Sequence, residues 1–189
     1  MKQHNLFPTL VHEYEFTELE LEPLLNFCLT APVKDHNLLS QGAKSSYSTK
    51  KYILEEFVAK NIKKKIQTCL DDYTTQLNVE PVQINDSWFN IMNEGQYLER
   101  HRHEVSVVSG ALYLQAGPNS TPLRLHSPLS NYRMCEKHSD TNRNHSPNWI
   151  DIPSKKGKMI LFPSWLEHST KMNKSQNRIV VSFNTAYVR

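Results

Sequence analysis

The sequence predicts a mainly β fold, a sandwich or barrel of short strands with a helical N-terminal part packed against it. Three observations lead there. An apolar stripe at helical spacing runs up to Leu77, the patterning changes after residue 79, and seven short runs rich in β-branched and aromatic residues follow, punctuated by Pro and Gly.

Taken in order, the segment from about Thr17 to Leu29 carries Leu19, Leu21, Leu24, Leu25 and Phe27 and predicts a short helix. Asp35 to Ser48 is polar and contains Gly42, so it reads as a loop. From Thr49 to Leu77, the residues Leu54, Val58, Ile62, Ile66, Leu70, Tyr73 and Leu77 recur at helical spacing, and Ile53 and Phe57 widen the stripe. Such a helix has to bury its face against something. The expected strands are Val82 to Met92, Tyr97 to His103, Val105 to Gln115, Leu123 to Leu125, Trp149 to Ile152, Lys158 to Phe162 and Ile179 to Val188. Between them Ser130 to Pro147 is rich in Asn, Ser, His, Arg and Asp and reads as an exposed insertion that would serve as a lid, as a contact for an acidic partner or as an ordinary solvated loop. The expectation is one domain over 1–189, mainly helical over 1–78, with a β core over 79–189 and the polar insertion at about 130–147.

Composition narrows the function classes. With 38% hydrophobic and 22% charged residues in 189, the chain can bury a core, and disordered or fibrous classes are excluded. No apolar run approaches the roughly 18 residues of a membrane span, and no charged start precedes an apolar segment, so a cytosolic protein is expected. Cys28, Cys69 and Cys135 are scattered and odd in number, which fits neither a disulfide framework nor a zinc site. The net charge of +3 is mild, and the run from Lys60 to Lys65 places lysines between apolar positions of a helix. That describes a solvated helix face rather than a nucleic-acid footprint.

Chemistry concentrates in the second half. His101-Arg102-His103 lies on an extended run, His168 follows Phe162-Pro163-Ser164 in what reads as a turn after a strand, and Arg178 stands ten residues further on. Side chains at i and i+2 of a strand point to one side, so His101 and His103 can meet a third imidazole from a neighbouring strand and close a facial metal triad. Parity on the last strand puts Arg178, Ser182 and Asn184 on one face and the apolar Ile179, Val181 and Phe183 on the other. If the apolar face packs on helices, Arg178 points into the interior, where its charge needs an anion: a small dicarboxylate, or a protein acid such as Asp151 or Glu104.

These residues carry a family resemblance. Trp88-Phe89-Asn90, Gly95, His101-Arg102-His103, the run Ser109 to Leu114, the run Gly157 to His168 and the run Arg178 to Asn184 together resemble the 2-oxoglutarate- and Fe(II)-dependent oxygenases, nearest to a prolyl-hydroxylase-like group found in bacteria and tailed phages. The resemblance implies a double-stranded β-helix, a cupin-like jelly roll buttressed by α-helices. It implies that His101, His103 and His168 hold Fe(II), and that Arg178 binds the distal carboxylate of 2-oxoglutarate with help from the Tyr113 hydroxyl. Asn184, Asn90 and Ser182 would face the same cavity, toward cosubstrate or substrate. The partners implied are 2-oxoglutarate, O2 and an unidentified primary substrate, with a protein side chain as one candidate; a phage-encoded chain would work in the host cytoplasm. One departure stands out: His103 occupies the place where most of the superfamily has a carboxylate, leaving the site one charge more positive, with the adjacent Glu104 as the alternative ligand. The competing readings are a cupin-like metal protein without oxygenase activity, which has no need of Arg178 with Tyr113, and a non-catalytic structural relative.

Overall fold

A computed structural model describes residues 1–2, 4, 8–132 and 148–188. Nine strands and two helices are built from them: β1 His12–Glu15, α1 Glu18–Thr30, β2 Lys44–Ser45, α2 Lys60–Leu77, β3 Val82–Met92, β4 Val108–Gln115, β5 Leu123–His126, β6 Trp149–Ile152, β7 Lys158–Pro163, β8 His168–Thr170 and β9 Arg178–Tyr187. They form two antiparallel sheets, one of order β1-β7-β4-β9-β3-β2 and a smaller one of order β6-β5-β8. This is the double-stranded β-helix with helices on the outer face of the larger sheet.

The alternation of side chains divides the larger sheet into two environments. Phe89, Val108, Leu112, Leu114, Met159, Leu161, Ile179, Val181 and Phe183 point outward into a core shared with Leu21, Leu24, Ile62, Ile66, Leu70 and Tyr73 of the helices. Ala111, Tyr113, Ile160, Phe162 and Val180 point inward and pack with Leu123, Leu125 and Ile152 of the smaller sheet. One close approach demands glycine: a Cβ on Gly110 would lie 2.0 Å from the ring of Phe183, which covers it from the paired strand.

Helix α1 begins where the chain can cap it. The Thr17 hydroxyl accepts from the Glu20 N–H and the Glu20 carboxylate accepts from the Thr17 N–H, a reciprocal capping box. Helix α2 is shorter than the apolar stripe predicts, starting at Lys60 instead of Thr49. Upstream, Ile53–Glu55 and Phe57–Ala59 are single 3-10 turns separated by an extended Glu56. Here tertiary hydrogen bonding overrides periodicity: the Leu54 N–H donates to Ser87 Oγ at 3.0 Å, stapling the segment to β3. Consequently Ile53 and Leu54 are buried, whereas Phe57 is exposed and Val58 is 40% exposed.

That difference is measurable. Ile62 is buried under the sheet, so Ile62→Ala should cost about 2–5 kcal/mol, while Val58→Ala should stay within about 0.5 kcal/mol of the parent. Denaturant melts showing equal losses for the two variants would mean that the buried face of this region is misassigned.

Other boundaries also shift. Tyr97 to His103 is extended but forms no ladder; Leu98 and His101 make isolated bridges, and the N–H groups of Glu99, His101 and His103 donate to Leu38, His168 and Ser164 in turn. Its partners come from separate segments, so the alternation survives without a strand. Strand β4 opens at Val108, because residues 104 and 105 turn and leave Val105 fully exposed. The polar stretch from Asp35 to Ser48, expected as loop, contributes β2 at the edge of the larger sheet. His168 does not sit in a turn: it opens β8. Strand β1 had no expectation at all. Of the insertion, Ser130–Tyr132 form a 3-10 turn; residues 133–147, with Arg133, Cys135, Lys137, His138, Arg143 and His145, lie outside the described residues. Among the described residues, no helix is long and apolar enough to cross a membrane.

Candidate metal centre and anion pocket

Between the two sheets lies a cavity of about 360 Å³, and His101, His103 and His168 meet on its wall. Their candidate ligand atoms all fall within 4.8 Å of one another. The rings of His101 and His168 are 4.2 Å apart between centroids, and His103 stands 5.1 and 5.2 Å from the two. The first two histidines reach the site from the extended crossing segment, and a pair of backbone hydrogen bonds between His101 and His168, at 3.0 and 2.9 Å, fixes that segment to β8. Glu104 points elsewhere: it is exposed and pairs with Arg102 at 2.9 Å.

Arg178 opens β9 and lies 3% exposed in the same cavity. Its Nη2 donates to the Tyr113 hydroxyl at 3.4 Å, and the guanidinium sits 5.0 Å from the centroid of the Tyr113 ring. Its Nε has no partner among the described residues. The protein acids expected as its alternative counterions are engaged elsewhere, Asp151 by Arg124 at 2.7 Å and by Lys171 at 2.7 Å, and Glu104 by Arg102. Among the described residues, no carboxylate pairs with Arg178. Burial pulls its affinity for protons below that of a free guanidinium, with the Tyr113 hydroxyl as partial compensation. A buried cation with a spare donor has the properties of an anion receptor.

A family model described as "Putative 2OG-Fe(II) oxygenase" matches residues 86–184, just over half of the chain. The chain belongs to this family. The matched stretch contains all three histidines and Arg178. A search of curated protein sequences returns no match. Among solved structures, a Pseudomonas putida prolyl-4-hydroxylase superposes with a TM-score of 0.65 at 12% identity, covering 95% of this chain and 93% of its own. The viral collagen prolyl hydroxylase of Paramecium bursaria Chlorella virus-1, in a 2-oxoglutarate complex, gives 0.61 at 15% identity over 94% and 96%. HygX from Streptomyces hygroscopicus, with nickel and 2-oxoglutarate bound, gives 0.65 at 11% identity over 95% and 84%. At these identities the likeness is one of fold.

The residues of this oxygenase-family chain fit a divalent metal on their own chemistry. Imidazole binds metal through a neutral ring nitrogen, and burial keeps all three rings neutral. It lowers His103 from 6.5 to about 4, reinforced by the nearby His101, and lowers His101 and His168 in the same direction. The orphaned Arg178 Nε fits a carboxylate in the same way.

The titration has a consequence for the metal-free protein. In the unfolded chain these histidines take up protons near 6.5, whereas the folded sites resist until about 4 for His103. The unfolded state therefore binds more protons in that window, and stability must fall as the pH falls through it. Melting temperatures of metal-free protein should drop as the pH falls from about 6.5 toward 4; a flat profile would mean that the imidazoles are not held neutral by burial.

The other residues expected in the cavity are also on its wall: Asn90, Ser182 and Asn184 all line it. Asn184 is the most engaged, with its Oδ1 accepting from Ser109 Oγ at 2.9 Å and its Nδ2 3.3 Å from His103 Nδ1. Three lining aromatics were not expected there. His36, Tyr47 and Trp88 stack edge to face with centroids 5.1 Å apart in each pair, and Trp88 continues to His103 at 6.1 Å. Trp88 was legible, since it shares strand parity with Asn90; His36 and Tyr47 come from an irregular segment whose path no sequence pattern gives.

Proposed function

We propose that the chain is an Fe(II)- and 2-oxoglutarate-dependent dioxygenase that hydroxylates a substrate presented at the cavity between the two sheets. The observation that carries the reading is the meeting, in one cavity, of three imidazoles and a buried arginine with no carboxylate partner among the described residues. His101, His103 and His168 would hold the metal. Arg178, backed by the Tyr113 hydroxyl, would receive the distal carboxylate of the keto acid, and Asn90 and Ser182 would contact cosubstrate or substrate.

When bound, the iron and keto acid supply oxidation by O2: one oxygen atom enters a substrate C–H bond as hydroxyl, and the other enters succinate as CO2 leaves. The protein's own contribution is geometric and electrostatic. The i and i+2 spacing presents two imidazoles from one segment, and β8 presents the third. Three side-chain ligands leave positions open for other groups. The guanidinium orients a bound acid by its carboxylate, and the apolar inner layer, with Phe162, Leu123 and Val180, limits water at the reacting centre.

A cupin-like metal protein would use the histidines but has no need of the Arg178 pocket. The primary substrate is a separate matter, because this fold serves both a collagen prolyl hydroxylase and HygX, of which one structure holds hygromycin B. A protein side chain remains one candidate class. The test is succinate formation from 2-oxoglutarate, followed by NMR, with Fe(II), O2 and ascorbate present, the ascorbate supplying in place of a primary substrate the two electrons that reduce the second oxygen atom to water. Slow, metal-dependent succinate production is expected. Protein that binds both metal and keto acid yet yields no succinate would contradict oxygenase activity.

A further inference from the structure

Two of the three histidines are oriented by the backbone, and the third is not. His101 Nδ1 lies 2.8 Å from the Glu99 carbonyl and His168 Nδ1 lies 3.0 Å from the Leu166 carbonyl. Each ring thus meets an acceptor two residues before it, so Nδ1 carries the proton and Nε2 keeps a free lone pair. For His103 the corresponding carbonyl belongs to His101, and it already accepts from the His168 N–H at 2.9 Å. His103 Nδ1 faces the side-chain amide of Asn184 instead.

An amide can turn either end to the ring, and the two orientations have opposite consequences. If the Asn184 NH2 donates, Nδ1 must be an acceptor, the proton moves to Nε2 and that nitrogen has no lone pair for a metal. If the Asn184 oxygen accepts, Nδ1 keeps its proton and Nε2 is free. The second orientation is the amide turned end for end from the placement given above, and the hydroxyl pair behind it can reverse its donors to suit. The amide NH2 then donates to Ser109 Oγ, 2.9 Å away, and the Ser109 hydroxyl donates to Ser164 Oγ at 2.8 Å. All three residues are buried, and Ser164 also accepts the His103 backbone N–H at 3.0 Å through its carbonyl.

We propose that Asn184 is a positioning residue that, through its side-chain oxygen and with Ser109 and Ser164 behind it, holds His103 in the tautomer that ligates through Nε2. This rests on the three-histidine metal reading above. It assigns the backbone's work at His101 and His168 to a side chain at His103.

The test is calorimetric titration of Ni(II) alone into the metal-free full chain. Outer partners of a ligating histidine are worth about 10–100-fold in metal affinity, so Asn184→Leu, which offers no acceptor, should weaken Ni(II) by that factor. Asn184→Asp can only accept, so it should bind Ni(II) at least as tightly as the parent. Asn184→Leu binding like the parent, or Asn184→Asp binding no better than Asn184→Leu, would overturn the proposal, the latter being what a packing role alone produces. Should Asn184→Leu not fold, long-range proton–nitrogen NMR of the Zn(II)-loaded parent decides: a proton on His103 Nδ1 supports the assignment, and a proton on Nε2 overturns it. A parent chain that binds neither Ni(II) nor Zn(II) would remove the metal reading itself, and the tautomer proposal with it.

Discussion

His103→Ala should lose metal binding while Glu104→Gln retains it. The exposed Glu104 carboxylate is paired with Arg102, whereas the His103 ring lies within 5.2 Å of both other imidazoles. Losing a direct ligand should weaken Fe(II) or Mn(II) by more than the roughly hundredfold that an outer partner is worth. Glu104→Gln removes only an exposed ion pair, worth about 0–1 kcal/mol, so its metal affinity should match the parent. His103→Asp should recover binding, since an aspartate at the same position can reach the site with one oxygen. Metal content measured after desalting separates these outcomes. If Glu104→Gln emptied the site and His103→Ala did not, the crossing segment would have to be arranged differently from the structure described.

Arg178→Ala should weaken 2-oxoglutarate by about ten- to a hundredfold, because a hydrogen bond to a charged group contributes about 1.5–3 kcal/mol. Metal affinity should change far less, since Arg178 touches Tyr113 and none of the histidines. Arg178→Lys should recover little: an ammonium has no planar fork to meet a carboxylate and cannot reproduce the contact with the Tyr113 ring. Tyr113→Phe should give a smaller loss, as it deletes one hydroxyl and leaves the guanidinium in place. Calorimetry finding equal keto-acid affinity in parent and Arg178→Ala would take away the reason for preferring an oxygenase to a cupin-like metal protein.

Parity made the inner wall of the cavity legible before any fold was known. Alternation along β9 separates Arg178, Ser182 and Asn184 from Ile179 and Val181, and the structure divides them between cavity and helix-facing core accordingly, while Phe183, in that core, also edges the cavity beside Gly110. It worked even at His101 and His103, where no ladder forms, because the N–H groups of alternate residues still find acceptors. Periodicity failed where hydrogen bonds from distant segments set the backbone. The Ser87 hydroxyl holds Leu54 out of the helix, and nothing local in Thr49 to Ala59 encodes that contact. The rim of the site failed for a similar reason. His36 and Tyr47 reach the cavity from an irregular stretch tied to β3 through Ser46, whose N–H donates to the Phe89 carbonyl and whose hydroxyl accepts from the Phe89 N–H. Pairings of single residues across the fold leave no periodic trace.

On the function proposed above, the three histidines and Arg178 form one composite site for a metal and a dicarboxylate keto acid. Anaerobic calorimetric titration of 2-oxoglutarate into the chain, with and without Mn(II), tests it most directly. One equivalent of keto acid should bind per chain, with binding greatly weakened without metal and in the Arg178→Ala variant. Keto-acid binding that was indifferent to both the metal and Arg178, or absent from the metal-loaded parent, would contradict it.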